Sequence, residues 1–199
     1  MCGICGIINF DNKPVIHDEL KLMMLKMKHR GPDDEGTYID KNIGLGFVRL
    51  SILDLSPAGH QPMFSHDGQY VIVFNGEVYN YIELKDELKS KYVFKTRTDT
   101  EVVLAAYQEW GKACLDKFNG MFAFVIYNIA SKELFAARDR FGIKPFYYYQ
   151  NSDKFIFASD IPSLISVFET ELLPDDTAIF DYLAFGRTDQ NENTFFQQI

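Results

Sequence analysis

Several strand-length runs in this chain have no polar face. Val71-Ile72-Val73-Phe74 and Met121 through Tyr127 are apolar at consecutive positions, and the opening run carries Ile4, Ile7, Ile8 and Phe10, punctuated by glycines. Successive side chains of a strand point to opposite faces, so a run apolar at every position needs cover on both sides. Such runs therefore predict sheets sandwiched between other layers. Further strands are expected at Gly36–Ile39 and Ile43–Leu50, around a turn at Asp40-Lys41-Asn42, and at Glu133–Arg138, Pro145–Gln150 and Lys154–Ser159.

Helical spacing is concentrated between these strands. Leu20, Met23, Met24 and Met27 fall at i, i+3, i+4 and i+7, with Asp18 as an N-cap and His29-Arg30-Gly31-Pro32 as the stop. A second helix is expected from about Tyr81 to Lys91. A third begins at Thr98-Asp99-Thr100-Glu101, where Thr98 and Glu101 have capping-box spacing, and stops at Gly111. Short helices are expected over Ile161–Val167 and near Ile179–Phe185. Helices dominate the first half and hairpin-linked strands the second, which fits a layered α+β fold with stacked antiparallel sheets, not a doubly wound βαβ one.

Composition narrows the function classes. The 199 residues are 47% hydrophobic, enough for one domain with a substantial core. Twenty Lys and Arg stand against 28 Asp and Glu, a net charge of −8, which argues against a nucleic-acid surface. No window approaches the ~20 apolar residues of a membrane span, and the first ten residues lack the basic start of a secretory signal. Three cysteines, Cys2, Cys5 and Cys114, suit a reducing cytoplasm.

Four groups of residues have chemistry in reach. Cys2 follows the initiator methionine; with Met1 removed, its own α-amine, of pKa about 8 in the reference state, can serve the thiol as base. The Cys2-Gly3-Ile4-Cys5 spacing also admits redox or metal chemistry. However, no second ligand pair exists for a structural zinc site, and residues three apart on a strand face opposite ways. Asn75-Gly76, expected at the end of an apolar strand, offers a carboxamide and an open N–H suited to an oxyanion, or a plain hairpin turn. Arg49 at a strand end suits a carboxylate, or a surface salt bridge. Asp99 at a helix start suits an ammonium group, or a simple cap. Together the four are complementary to an α-amino acid attacked at its side chain.

Six segments carry a family resemblance: Met1-Cys2-Gly3-Ile4-Cys5-Gly6, His29-Arg30-Gly31-Pro32-Asp33, Arg49-Leu50-Ser51-Ile52-Leu53-Asp54, Phe74-Asn75-Gly76-Glu77-Val78-Tyr79-Asn80, Thr98-Asp99-Thr100-Glu101 and Arg138-Asp139-Arg140-Phe141-Gly142-Ile143-Lys144-Pro145. In this order they resemble the class II glutamine amidotransferase domain, an N-terminal-nucleophile (Ntn) hydrolase. The asparagine-synthetase branch is the most similar. The resemblance implies a four-layer αββα sandwich with two stacked, mainly antiparallel sheets. It implies hydrolysis of L-glutamine to glutamate and ammonia through a thioester on Cys2, with Asn75 and Gly76 as the oxyanion hole. Arg49 and Asp99 would bind the α-carboxylate and α-ammonium, while Leu50, Ile52 and Glu77 complete the glutamine pocket. Arg30 and Asp33 resemble a structural loop beside the nucleophile.

The same resemblance implies no metal or cofactor in this domain. ATP and Mg would belong to a covalently linked C-terminal synthetase domain, since no pyrophosphate or Walker loop occurs here. Residues 1–199 are thus expected to be one domain of a longer cytoplasmic protein, with a homodimer left open. Asp189, in Arg187-Thr188-Asp189, falls where the family prepares its passage to that second domain. Two alternatives stand beside this reading: a non-catalytic Ntn-fold module for partner binding or regulation, and an amidotransferase whose acceptor is not aspartate.

Overall fold

The computed structural model describes residues 1–168, 171–188 and 191–199; Asp189 lies outside them. One sheet has five strands: β1 (Gly3–Asn9), β2 (Asp34–Asp40), β3 (Ile43–Arg49), β8 (Tyr147–Gln150) and β9 (Lys154–Ala158), in the order β2-β3-β1-β9-β8. The other has β4 (Met63–Phe64), β5 (Tyr70–Val78), β6 (Gly120–Asn128) and β7 (Leu134–Arg138), in chain order. Every strand pairing is antiparallel.

The two-sided apolar runs have the cover they require. Alternate residues Ile4, Ile8, Leu45 and Phe47 of the first sheet meet Val71, Val73, Ala123, Val125 and Tyr127 of the second in a shared inner layer. The opposite face of the first sheet, with Cys5, Ile7, Val48 and Ile156, packs on Leu20, Met23, Met24 and Met27 and on Leu164. These come from α1 (His17–Lys26), the turn after it, and α4 (Ile161–Ile165). The opposite face of the second sheet, with Ile72, Phe74, Phe122 and Phe124, packs on α2 (Tyr81–Leu88) and α3 (Asp99–Trp110). Helix, sheet, sheet, helix is the expected αββα order. A last helix, α5 (Asp176–Phe185), buries none of its residues.

Several boundaries differ from expectation. α1 starts at His17 behind Ile16, with no side-chain cap; Asp18 sits inside the first turn, where its charge meets the helix dipole. α2 stops at Leu88, short of Lys91, and β8 omits Pro145, which has no N–H for a ladder. At α3, Thr98 accepts from Glu101 N at 3.4 Å, but Glu101 turns its carboxylate to the amides of Lys95 and Thr96, so the reciprocal half of the capping box is absent. The largest difference is in β5. It does not end at Asn75-Gly76 but runs on to Val78, paired with β6 along all nine residues.

Candidate active site

The open edge of β5 organises the site. Phe122, opposite Gly76, exchanges backbone hydrogen bonds with Asp139 on its other side, donating to the Asp139 carboxylate and accepting from Asp139 N. In an antiparallel pair this puts the Gly76 N–H and C=O on the edge facing away from β6. Two residues earlier the same edge is occupied: the Gln61 carboxamide accepts from Phe74 N at 2.6 Å and donates to Phe74 O at 3.3 Å. Two residues later Val78 N donates to Asp99 Oδ2 at 2.9 Å. The Gly76 N–H therefore stands between a side-chain amide and a carboxylate, where no further strand continues the sheet. Only glycine fits there, because a Cβ would lie 2.4 Å from Met121 O and 2.6 Å from Phe122 Cα.

A small cleft opens at this edge. It encloses about 50 Å3 and is lined by Cys2, Arg49, Leu50, Ile52, Gly76, Glu77 and Asp99, together with Gly59, Gln61, Thr98 and Thr100. Seven of the eight predicted site residues therefore share one cleft. The eighth, Asn75, sits behind the lining. It is 1% exposed, and its side chain alternates with Phe74 and Gly76 to lie on the inner-layer face, the face on which Cys2 packs. Its Nδ2 is buried with no hydrogen-bond partner among the described residues. An unpaired buried donor is rare and costly, about 1–3 kcal/mol, which marks it as a group held ready for something else.

Cys2 is half-buried. Leu50 N lies 3.4 Å from its Sγ and Leu50 O 3.5 Å, so the thiol is cradled by one peptide of the loop after β3. Burial pushes the Cys2 thiol up, opposed by the Leu50 amide, the N-terminal ammonium and Arg49. The thiol is thus protonated as it stands and needs a base to become a nucleophile. Cys5 faces the helical layer, fully buried and pushed up by that burial, and Cys114 lies in the other helical layer, raised to about 12 by burial. The two ends of the Cys-x-x-Cys motif therefore point to opposite sides of β1, which removes the geometric basis for a redox or metal pair.

Arg49, the last residue of β3, is 5% exposed and makes no surface salt bridge among the described residues. Its guanidinium donates to the carbonyls of Ser56 (2.9 Å), Asp54 and Leu53 (3.5 Å), and so ties down the loop that roofs the cleft. Gly59 lets the guanidinium lie flat; a Cβ there would meet Nη2 at 2.0 Å. Asp99 is not the cap of α3, a role taken by Thr98. Burial raises the Asp99 carboxyl to about 6, against the lowering effect of the Val78 and Thr100 amides. Arg30 donates from Nε to Cys2 O at 3.2 Å, and Asp33 accepts from Ser51 N at 2.8 Å, so both brace the backbone on either side of the thiol.

Gly59 and Gln61 were not singled out by sequence, and Thr98 and Thr100 were read there as parts of a helix start and not as lining of the cleft. Gln61 gives no periodic signal, because its carboxamide imitates a strand that is absent; the crowded Pro57-Ala58-Gly59-His60-Gln61-Pro62 segment is the only trace of it.

The chain matches the glutamine amidotransferase domain over residues 1–199. It is 46% identical over 187 residues to a putative glutamine-hydrolyzing asparagine synthetase 2 of Methanocaldococcus jannaschii, covering 85% of this chain and 36% of that protein. It is 43% identical over 189 residues to glutamine-hydrolyzing asparagine synthetase 1 of Bacillus subtilis, covering 93% of this chain and 30% of that one. The chain thus spans about a third of the length of these relatives. Among solved structures, glutamine phosphoribosylpyrophosphate amidotransferase of B. subtilis has the same fold, with a TM-score of 0.70 at 19% identity over 96% of this chain and 54% of that one. Matched by the family model over residues 1–199, and 46% and 43% identical to these two relatives, the chain belongs to the class II glutamine amidotransferase domain family.

Proposed function

We propose that this domain hydrolyses L-glutamine to glutamate and ammonia through a thioester on Cys2. The observation that carries the reading is the convergence of Cys2, Arg49, Asp99 and the open Gly76 N–H on one cleft, with the Asn75 amide orphaned beside it. With Met1 removed, the Cys2 α-amine takes the thiol proton, and Sγ attacks the side-chain amide carbon of glutamine. The resulting oxyanion accepts from Gly76 N–H and Asn75 Nδ2, donors fixed by β5 before the reaction begins. The α-ammonium then returns its proton to the leaving nitrogen, ammonia departs, and a γ-glutamyl thioester remains. Water, deprotonated by the same amine, hydrolyses it to glutamate and restores the thiol.

Recognition of the substrate's α-carbon falls to Arg49 and Asp99, with Leu50, Ile52 and Glu77 closing the pocket. The cleft of about 50 Å3 holds a few water molecules and opens to solvent, and glutamine would gain room there by shifting the roof. Arg49 supplies the means, because a bidentate carboxylate can replace the loop carbonyls it now holds. Binding of the ammonium beside Asp99 would favour its charged form, which burial now disfavours.

By the names of its relatives, the ammonia would serve asparagine synthesis; the family resemblance adds an ATP-dependent amidation of aspartate in a linked domain, to which ATP and Mg would bind. The three free cysteines and the proposed thiol chemistry suit the reducing cytoplasm. The test is glutamate release by protein whose N-terminal residue has been identified as Cys2. Cys2→Ala is expected to abolish release, and retained turnover in that variant would overturn the reading.

A further inference from the structure

The loop joining β7 to β8 contains a lysine whose position the mechanism above does not use. Asp139 fixes this loop: its Oδ2 accepts from Phe122 N and Lys144 N, and its Oδ1 from Phe141 N and Ile143 N, at 3.0–3.1 Å. Arg138 adds bonds to the carbonyls of Lys144 and Gly142, both at 2.6 Å. Lys144 thus has both backbone groups anchored. Its side chain is 6% exposed, and its Nζ lies 3.3 Å from Met1 Sδ. Among the described residues, no carboxylate forms an ion pair with it and the thioether is its one hydrogen-bond partner. A thioether is a weak acceptor for an ammonium with three donors, and a buried lysine so poorly matched is costly. The residue it faces is the one whose removal would expose the α-amine of Cys2.

We propose that Lys144 is a positioning residue for glutamine hydrolysis: its buried ammonium, held against the N-terminus by the Asp139 loop, keeps the Cys2 α-amine unprotonated and ready to take the thiol proton. The inference rests on the reading of that amine as the base. A like charge held close disfavours the protonated amine. The other charged groups around the N-terminus come from every neighbouring element. Arg30, in the turn after α1, bonds Cys2 O and accepts the Met1 ammonium at its carbonyl; Arg49 ends β3; Glu77 of β5 lines the cleft; Asp99 begins α3. Asp99, Glu77 and the loop's own Asp139, whose carboxylate accepts from Lys144 N, favour a protonated amine, which Lys144, Arg30, Arg49 and Arg138 oppose.

The experiment compares Lys144→Met, Lys144→Gln and Lys144→Arg in the full-length protein, each with an N-terminal Cys2 verified by mass. If Lys144 lowers the amine by one pH unit, its neutral fraction at pH 7 falls from about one half to about one tenth on losing the charge. The Met and Gln variants are then expected to lose about fivefold in kcat/KM at pH 7 and to regain it above about pH 9, while Arg keeps the wild-type profile. A second reading avoids turnover altogether: in a Cys2→Ala background, the pH dependence of N-terminal acylation should move up by about one unit when Lys144→Met is added. An unmoved amine, or a loss of rate equal at all pH values, overturns the role of Lys144. Failure of the underlying base assignment is distinguishable, because it would appear as wild-type turnover independent of a free N-terminal amine.

Discussion

Asp99 lies 5% exposed at the first turn of α3, and burial raises its carboxyl from 3.8 to about 6. The folded protein therefore holds a proton there between about pH 4 and 6 that the unfolded chain has released. Stability must fall as pH rises through that window and stay lower above it. A difference of about two units corresponds to about 3 kcal/mol of charge burial at neutral pH. Asp99→Asn keeps an oxygen to accept from Val78 N–H and removes the charge. The variant is expected to gain up to about 3 kcal/mol at pH 7.5, a gain that fades towards pH 4. Urea unfolding followed by the fluorescence of the single tryptophan, Trp110, measures this directly. The same variant should lose glutamine binding, having no anion for the ammonium. Equal stability at pH 7.5, or a gain that does not change with pH, would refute the reasoning.

Other perturbations separate binding from chemistry. Arg49→Ala should raise KM for glutamine about a hundredfold, from the loss of charge-assisted bonds worth about 3 kcal/mol, as read from steady-state kinetics. Asn75→Ala should lower kcat by about 10²–10³ while leaving stability unchanged or higher, since the donor it removes satisfies nothing in the fold. Gly76→Ala should destabilise by about 1–3 kcal/mol, because its Cβ meets the β6 backbone, which cannot retreat without breaking the β5 ladder. The KM for glutamine should rise as pH falls through about 6, as the Asp99 carboxylate takes up its proton.

The layers were legible because their signal is local. Val71 to Phe74 and Met121 to Tyr127 announce sheets covered on both faces, and the methionines of α1 announce what covers one of them. The candidate site was legible in its charged and nucleophilic members, since a thiol, an arginine and an aspartate each demand a particular neighbour. What sequence could not deliver was the edge geometry. Asn-Gly inside a strand looks like the end of one, and only pairing with β6 shows the turn interpretation to be wrong. Gln61 completes the edge with a side chain, and Gly59 serves Arg49 by having none. Neither role leaves a periodic trace, because both depend on contacts made across the cleft.

In the proposed mechanism Cys2 carries the glutamyl group between glutamine and water. Rapid acid quench of the mature protein during turnover, followed by peptide mass mapping, tests it most directly. A γ-glutamyl adduct on Cys2, absent from Cys5 and Cys114 and lost in Cys2→Ala, is the predicted result. Glutamate release with no adduct at Cys2, or an adduct on another residue, would contradict it.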